Sequence, residues 1–280
     1  MREKREVFKF DADPTTVGYA KPPHVPSAIQ ADTLFTFMLQ LDFLLSIIKT
    51  AMIFPRYCEE DISYLAIEGF SKIAYPMKCF CDINMHRLEA HLSCYGHYGI
   101  AFSKEWGMRN KIQAVQYINP ESELCHDFSQ AFSTALKIDP QTQSASERQM
   151  KSCLLHQLMY YKPYSGPFKN RVTEKIEDKC FTDECEWKFI PALDGTDFPP
   201  VYYDEQILNA GIMNCLSDSM IKVPEIALKF EYAGIKYIIV KTREDFSALI
   251  STIDELNLDK LEKYELISKA LTWDTAKGDF

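Results

Sequence analysis

At 280 residues, 46% of them hydrophobic, and with a net charge of -9, the chain has enough apolar content for a substantial core and is no disordered scaffold. The negative charge disfavours indiscriminate binding to nucleic acid, leaving Lys162, Lys169, Arg171 and Lys175 as a local basic patch where phosphates could be met. Nine scattered cysteines and a charged start without an apolar stretch predict reduced thiols and a cytoplasmic protein, and no apolar run reaches membrane-spanning length.

Residues 1–30 mix charges with Pro14, Pro22, Pro23 and Pro26, which predicts an extended N-terminal arm, able to dock through Val17, Tyr19 and Val25. Residues 31–280 are expected to form a single α+β domain. Residues 34–38 read as a short strand, and the dense apolar run 41–49 reads as a buried helix with Asp42 near its start, ended by Pro55 and Arg56. The alternation at 76–83 predicts a strand, followed by a polar helix around 86–94. Residues 98–103 and 114–118 read as two further strands, with Gly107 and Asn110 in the turn between them. Helices are expected over 122–137 and 145–161, separated by the polar run 139–144. Residues 226–232 and 235–240 flank Ala233-Gly234 as a hairpin, and 244–253 and 258–271 read as closing helices. Strands and helices mix without a regular βαβ alternation, which favours α+β.

The segment 181–190 places Glu184 and Glu186 two residues apart in an aromatic and apolar run. On a strand, that spacing puts both carboxylates on one face. Facing a cleft, such a pair can orient a ribose hydroxyl and stabilise a developing cation; on an edge strand the same pattern is merely a solvated face. Cys79, Cys81, His86, His91, Cys94 and His97 are of metal-ligand type, yet their spacings lack paired Cys-x-x-Cys knuckles, so no metal is expected and buried thiols on a strand are the plainer reading. No Gly-rich phosphate loop and no His-Glu-x-x-His helix occurs, which removes dehydrogenases, P-loop ATPases and zincins as default readings.

The runs 76–83 and 95–106, with His91 between them, resemble the AbiGi family of bacterial abortive phage-infection proteins, and 183–188 is similar to a later acidic and aromatic signature of that family. The resemblance extends from about residue 33 to about residue 245, with Tyr95-Gly96-His97-Tyr98-Gly99-Ile100 as its most specific part. It implies a role in phage defence, commonly as the antitoxin half of a pair. A second resemblance is to ADP-ribosyltransferases of the DarT type, which open on a His-x-Thr strand, pass through an amphipathic helix to an arginine and carry a catalytic glutamate on a later strand. Arg56 follows the helix and Glu184 or Glu186 lies later, but Thr36 stands where that family has histidine.

What this second resemblance implies is an ADP-ribosyltransferase-like mixed sheet with flanking helices and NAD as substrate. Glu184, Glu186 and Arg56 would be catalytic, while Thr36, Arg56, Tyr98 and Trp106 would bind the dinucleotide. A carboxylate would stabilise the ribosyl cation, Arg56 would hold the pyrophosphate, and the aromatics would stack on nicotinamide or adenine. Arg56 as a helix cap and Tyr98 and Trp106 as core residues are the plain alternatives. The first reading is a phage-defence, ADP-ribosyltransferase-like toxin modifying nucleic acid or protein; the alternative is a non-catalytic antitoxin or sensor that binds a partner protein.

Overall fold

The computed structural model describes residues 24–26, 29–203 and 209–279. Most of the expected arm lies outside the described residues. At its end, His24 meets Asp32 at 2.9 Å and the Ile29 carbonyl accepts from Asn84 at 3.0 Å.

Strand β1 (Thr33–Met38) leads into helix α1 (Leu41–Thr50), whose Leu44 and Ile48 are buried and which stops at Ala51 in the left-handed region. There follow β2 (Met52–Ile53), β3 (Arg56–Asp61), β4 (Lys72–Cys81), α2 (Leu88–Tyr95) and β5 (Tyr98–Ser103). Arg56 therefore opens a strand and does not cap the preceding helix. Next come α3 (Lys104–Arg109), β6 (Gln113–Ala114), β7 (Gln116–Ile118), α4 (Glu123–Leu136) and α5 (Ala145–Leu158). Gly107 is not in a turn but inside α3, packed against Leu34, whose Cδ1 would lie 2.4 Å from an added Cβ. The chain continues through β8 (Tyr161–Pro163), β9 (Ser165–Lys169), β10 (Ile176–Cys180), β11 (Glu186–Phe189), α6 (Ala210–Met220), β12 (Leu228–Lys229) and β13 (Ile235–Val240). It closes with α7 (Arg243–Asp254), α8 (Lys260–Ser268), β14 (Ala270–Thr272) and α9 (Trp273–Ala276). Capping boxes at Ser144/Glu147, Thr242/Asp245 and Asp259/Glu262 start α5, α7 and α8.

Eight strands form a mixed sheet in the order β14-β13-β5-β1-β4-β11-β6, with β3 also paired to β4. The pairs are antiparallel except β13 with β14. The architecture is α+β, a mixed sheet with flanking helices. The expected hairpin at Ala233-Gly234 does not form: Leu228–Lys229 pairs with β2, while β13 inserts between β5 and β14. Tertiary pairing with strands from the start and end of the chain outweighs the local turn signal. For the same reason residues 270 and 271 leave the expected helix and, with Thr272, pair with β13.

On one sheet face, Leu34, Ile100, Phe102 and Ile238 pack with α1, α7 and α8. On the other, Phe35, Cys81, Ala101 and Ile239 meet Leu88 and Leu92 of α2. The amino-terminal half of β4 packs Ile73, Tyr75 and Met77 against α4 and the end of α5. Strand β4 is longer than any one neighbour: β3 covers Lys72 to Met77, and β1 meets it at the register pair Phe35↔Cys81. Lys78, Cys79 and Phe80 lie between these two registers, held from the other side by β11.

Two glycines explain the compact motif at 95–100. Gly96 ends α2 at φ 99° and ψ 169°, and a Cβ there would lie 2.4 Å from the Met38 carbonyl oxygen. A Cβ on Gly99 would meet the Phe37 ring at 2.5 Å. Gly96 thus occupies a backbone region essentially reserved for glycine and a contact with no room for a side chain. Gly96→Ala is expected to destabilise the fold by about 2–3 kcal/mol, read as a lowered urea midpoint; an unchanged midpoint would contradict this close approach.

Candidate functional site

A cavity of about 610 Å³ opens where β1 and β3 part along β4. Its walls come from Thr36 and Phe37, from Arg56 and Cys58, from Lys78 and Cys79, from His91 and Tyr95 of α2, and from the β9–β10 hairpin. Lys162, Glu184 and Glu186 form its inner end.

The two glutamates converge by a different route from a shared strand face. Phe181–Glu184 is a 3-10 turn, Cys185 takes φ 41°, and only Glu186 begins β11. The left-handed residue redirects the chain so that both carboxylates reach Lys162 of β8, whose Nζ lies 2.7 Å from Glu184 Oε2 and 2.6 Å from Glu186 Oε2. Lys179 of β10 approaches Glu184 Oε1 at 2.8 Å, and the Tyr95 hydroxyl donates to the same oxygen. The Glu186 amide donates to the Tyr117 hydroxyl at 2.9 Å. Beyond it, Lys188 is fully buried, 3.2 Å from Glu60 and 3.0 Å from the Tyr75 hydroxyl.

Glu184 and Glu186 are only 3% and 6% exposed, so neither lies on a solvated face. Burial pushes both pKa values up, but the cations outweigh it: Lys162 and Lys179 hold Glu184 at about 2, and Lys162 and Lys188 hold Glu186 below the ordinary range. Both are ionised at neutral pH. Burial drives His91 down to about 4 against the opposing charge of Glu184, so its ring is neutral there.

Thr36, Arg56, Glu184 and Glu186 all line this cavity. Thr36 is 2% exposed, and its Oγ1 has no hydrogen-bond partner among the described residues. Arg56 is held away from the carboxylates, with Nη1 3.0 Å from Asp218 and Nη2 3.2 Å from Asn214 of α6. Tyr98 and Trp106 lie elsewhere. The Tyr98 hydroxyl reaches Asp245 at 3.3 Å, and Trp106 stacks on Phe102 with ring centroids 3.9 Å apart. They serve the core between the sheet and the α1/α7 layer.

Of the expected basic patch, Lys162, Lys169 and Arg171 all line this cavity: Lys162 is buried with the carboxylates, Lys169 pairs with Glu174, and Arg171 lies over the Tyr95 ring at 5.7 Å. All nine cysteines are free. Among the described residues, no group of three or more His, Cys, Asp or Glu side chains is arranged to hold a metal ion. No described helix is long and apolar enough to cross a membrane. Sequence reasoning missed Tyr95, Lys78, Lys179 and Lys188 as site residues. Lys78, Tyr95 and Lys188 carried a signal, since they lie in the 76–83, 95–106 and 183–188 motifs, and Lys179 carried none.

No solved structure matches the chain. Residues 51–241 match a family model described as "Putative abortive phage resistance protein AbiGi, antitoxin". A protein of Lactococcus lactis subsp. cremoris, "Abortive phage resistance protein AbiGi", is 30% identical over 245 residues, covering 81% of this chain and 98% of the relative. The matched span takes in β4, the Tyr-Gly motif, Lys162 and the glutamate pair, and on this ground the chain belongs to the AbiGi family of abortive phage resistance proteins.

Proposed function

We propose that this chain works in phage defence as the antitoxin of a toxin–antitoxin pair, acting by binding its toxin, with the cavity as a ligand site and not a centre of glycosyl transfer. The observation that carries this reading is the state of Glu184. One oxygen takes Lys162, the other takes Lys179 and the Tyr95 hydroxyl, and the side chain is almost wholly buried. A carboxylate that stabilises a ribosyl cation must turn an unengaged oxygen toward it, and cations at hydrogen-bond distance oppose that positive charge. The family description as an antitoxin points the same way.

A second reading, an ADP-ribosyltransferase-like toxin with NAD as substrate and nucleic acid or protein as acceptor, is favoured by one feature. Thr36, Arg56, Glu184 and Glu186, scattered through the sequence, share one cavity, and Glu186 Oε1 accepts no hydrogen bond among the described residues. Incubating the purified chain with adenylate-labelled NAD and a cell lysate separates the two. The binding reading expects no label on protein or nucleic acid, and expects Glu186→Gln to neutralise the co-expressed toxin as the wild type does. Label transfer that disappears in a folded Glu186→Gln variant would replace it with the transferase.

A further inference from the structure

The charges around the cavity are not evenly matched. At one end Glu59 pairs with Lys72 at 2.8 Å, Glu60 with Lys188 at 3.2 Å, and Asp61 accepts from the Ser63 hydroxyl and amide. At the inner end two lysines neutralise two glutamates. Two cations on the lining have no such partner: Lys78 and Arg171 make no ion pair and no side-chain hydrogen bond among the described residues. Burial lowers the pKa of Lys78, with the Arg171 charge as a smaller push in the same direction, whereas at Arg171 burial is outweighed by the groups around it, Glu60 among them, and its pKa is raised. A half-buried lysine without a counter-ion is costly unless something anionic completes it, and Arg171, exposed at the cavity rim, adds a second positive charge beside it.

Two buried hydroxyls on the same lining are also unpartnered, Thr36 Oγ1 and Tyr64 Oη. Buried polar atoms in folded proteins are nearly always satisfied, but with less than 1 Å² of exposed surface neither hydroxyl opens onto the cavity as it stands. A third observation concerns shape. Phe37, His91, Tyr95 and Phe168 form a chain of half-buried rings along one wall, with successive centroids 5.6, 4.5 and 5.7 Å apart. Lys179 lies over the Tyr95 and Phe168 rings at 4.8 and 4.2 Å and Arg171 over Tyr95 at 5.7 Å, so the end formed by Phe37 and the neutral His91 is the uncharged part able to accept a flat heterocycle. A volume of about 610 Å³ admits a ligand of nucleotide size.

We infer that this cavity binds a phosphate-bearing nucleotide, with Lys78 and Arg171 on the phosphates and the base against Phe37 and His91. The inference rests on the reading of the cavity as a ligand site and adds the class of ligand. It needs neither bond cleavage nor participation of Glu184.

Calorimetric titration of the purified full chain with ADP, inorganic pyrophosphate and adenosine tests it. ADP is expected to bind saturably at micromolar concentrations, with adenosine at least about tenfold weaker, since the charge-assisted contacts are lost. Lys78→Met and Arg171→Met should each weaken ADP and pyrophosphate by about tenfold while leaving adenosine unchanged. Both positions lack ion pairs, so the variants should keep the wild-type urea midpoint or exceed it, which confirms that they are folded. Absence of ADP binding by the folded wild type, equal affinity for ADP and adenosine, or full ADP affinity in the double variant would each overturn the inference. Neutralisation of the co-expressed toxin is scored separately: ADP binding without neutralisation sinks the antitoxin reading alone, and neutralisation without ADP binding sinks the nucleotide alone.

Discussion

Lys162→Met is expected to destabilise the chain by about 3–5 kcal/mol, the usual cost of removing one partner from a buried ionic cluster. Lys162 is the only cation within hydrogen-bond distance of Glu186 among the described residues, and it is one of two at Glu184. Both acids are almost wholly out of water. Methionine keeps much of the stem volume, so the loss is electrostatic and not a cavity effect. With Lys162 gone, Glu186 is left charged without a contact or must take up a proton to remain buried. The triple variant Lys162→Met, Glu184→Gln, Glu186→Gln should recover a large part of the loss, because no uncompensated charge then remains. Urea unfolding of the single and triple variants measures both effects. A single-variant loss below about 1 kcal/mol would mean that water reaches the cluster and solvates the carboxylates.

Acid should strip stability from this protein in two overlapping steps. His91 has a folded pKa of about 4 against 6.5 when unfolded, so the unfolded chain binds the extra proton as pH falls from 6.5 toward 4, and stability drops. Glu184, at about 2 when folded and 4.5 when unfolded, adds stability that is fully present above pH 4.5 and is lost as pH falls toward 2. Together they predict a decrease on the order of 3–5 kcal/mol between pH 7 and pH 3, a large fraction of an ordinary domain's stability. Glu184→Gln should lower stability at neutral pH and flatten the portion of the curve below pH 4.5. Urea midpoints measured across this range give the slope directly; a stability that stays constant from pH 7 to pH 3 would refute the burial and pairing of both groups. The substitution therefore acts on stability as well as on any chemistry, which separates Glu184 from an exposed catalytic acid.

Local patterns were sufficient for elements whose own residues decide them. The strand at 98–103 coincides with β5, and β1 and α1 fall within a residue of their expected bounds, because alternation and a dense apolar helical stripe each require one kind of burial. Helices α4 and α7 were likewise legible from periodicity. Strand β3 was missed because Arg56-Tyr57-Cys58-Glu59-Glu60-Asp61 is dominated by charges. It is a strand because β4 offers it a full edge and Lys72 and Lys188 neutralise its glutamates. The β9–β10 hairpin was missed for a similar reason: its residues carry little apolar alternation, and Asn170 makes the turn by accepting from the amides of Val172 and Thr173.

By itself the sequence determined an α+β chain with a sizeable core, singled out Glu184 and Glu186, and carried the motifs of the AbiGi family. Tertiary structure decided what those glutamates are. Their two-residue spacing predicted a shared strand face, yet they meet through a 3-10 turn and a left-handed cysteine, at a lysine more than twenty positions away. Charge pairing depends on distance through space and on exclusion of water, neither of which is encoded in local spacing. The same holds for Lys78 and Arg171: the linear chain offers Arg171 as part of a basic patch and Lys78 within the 76–83 motif, and only the separation of β1 and β3 along β4 places both on one cavity without an ion-pair partner among the described residues.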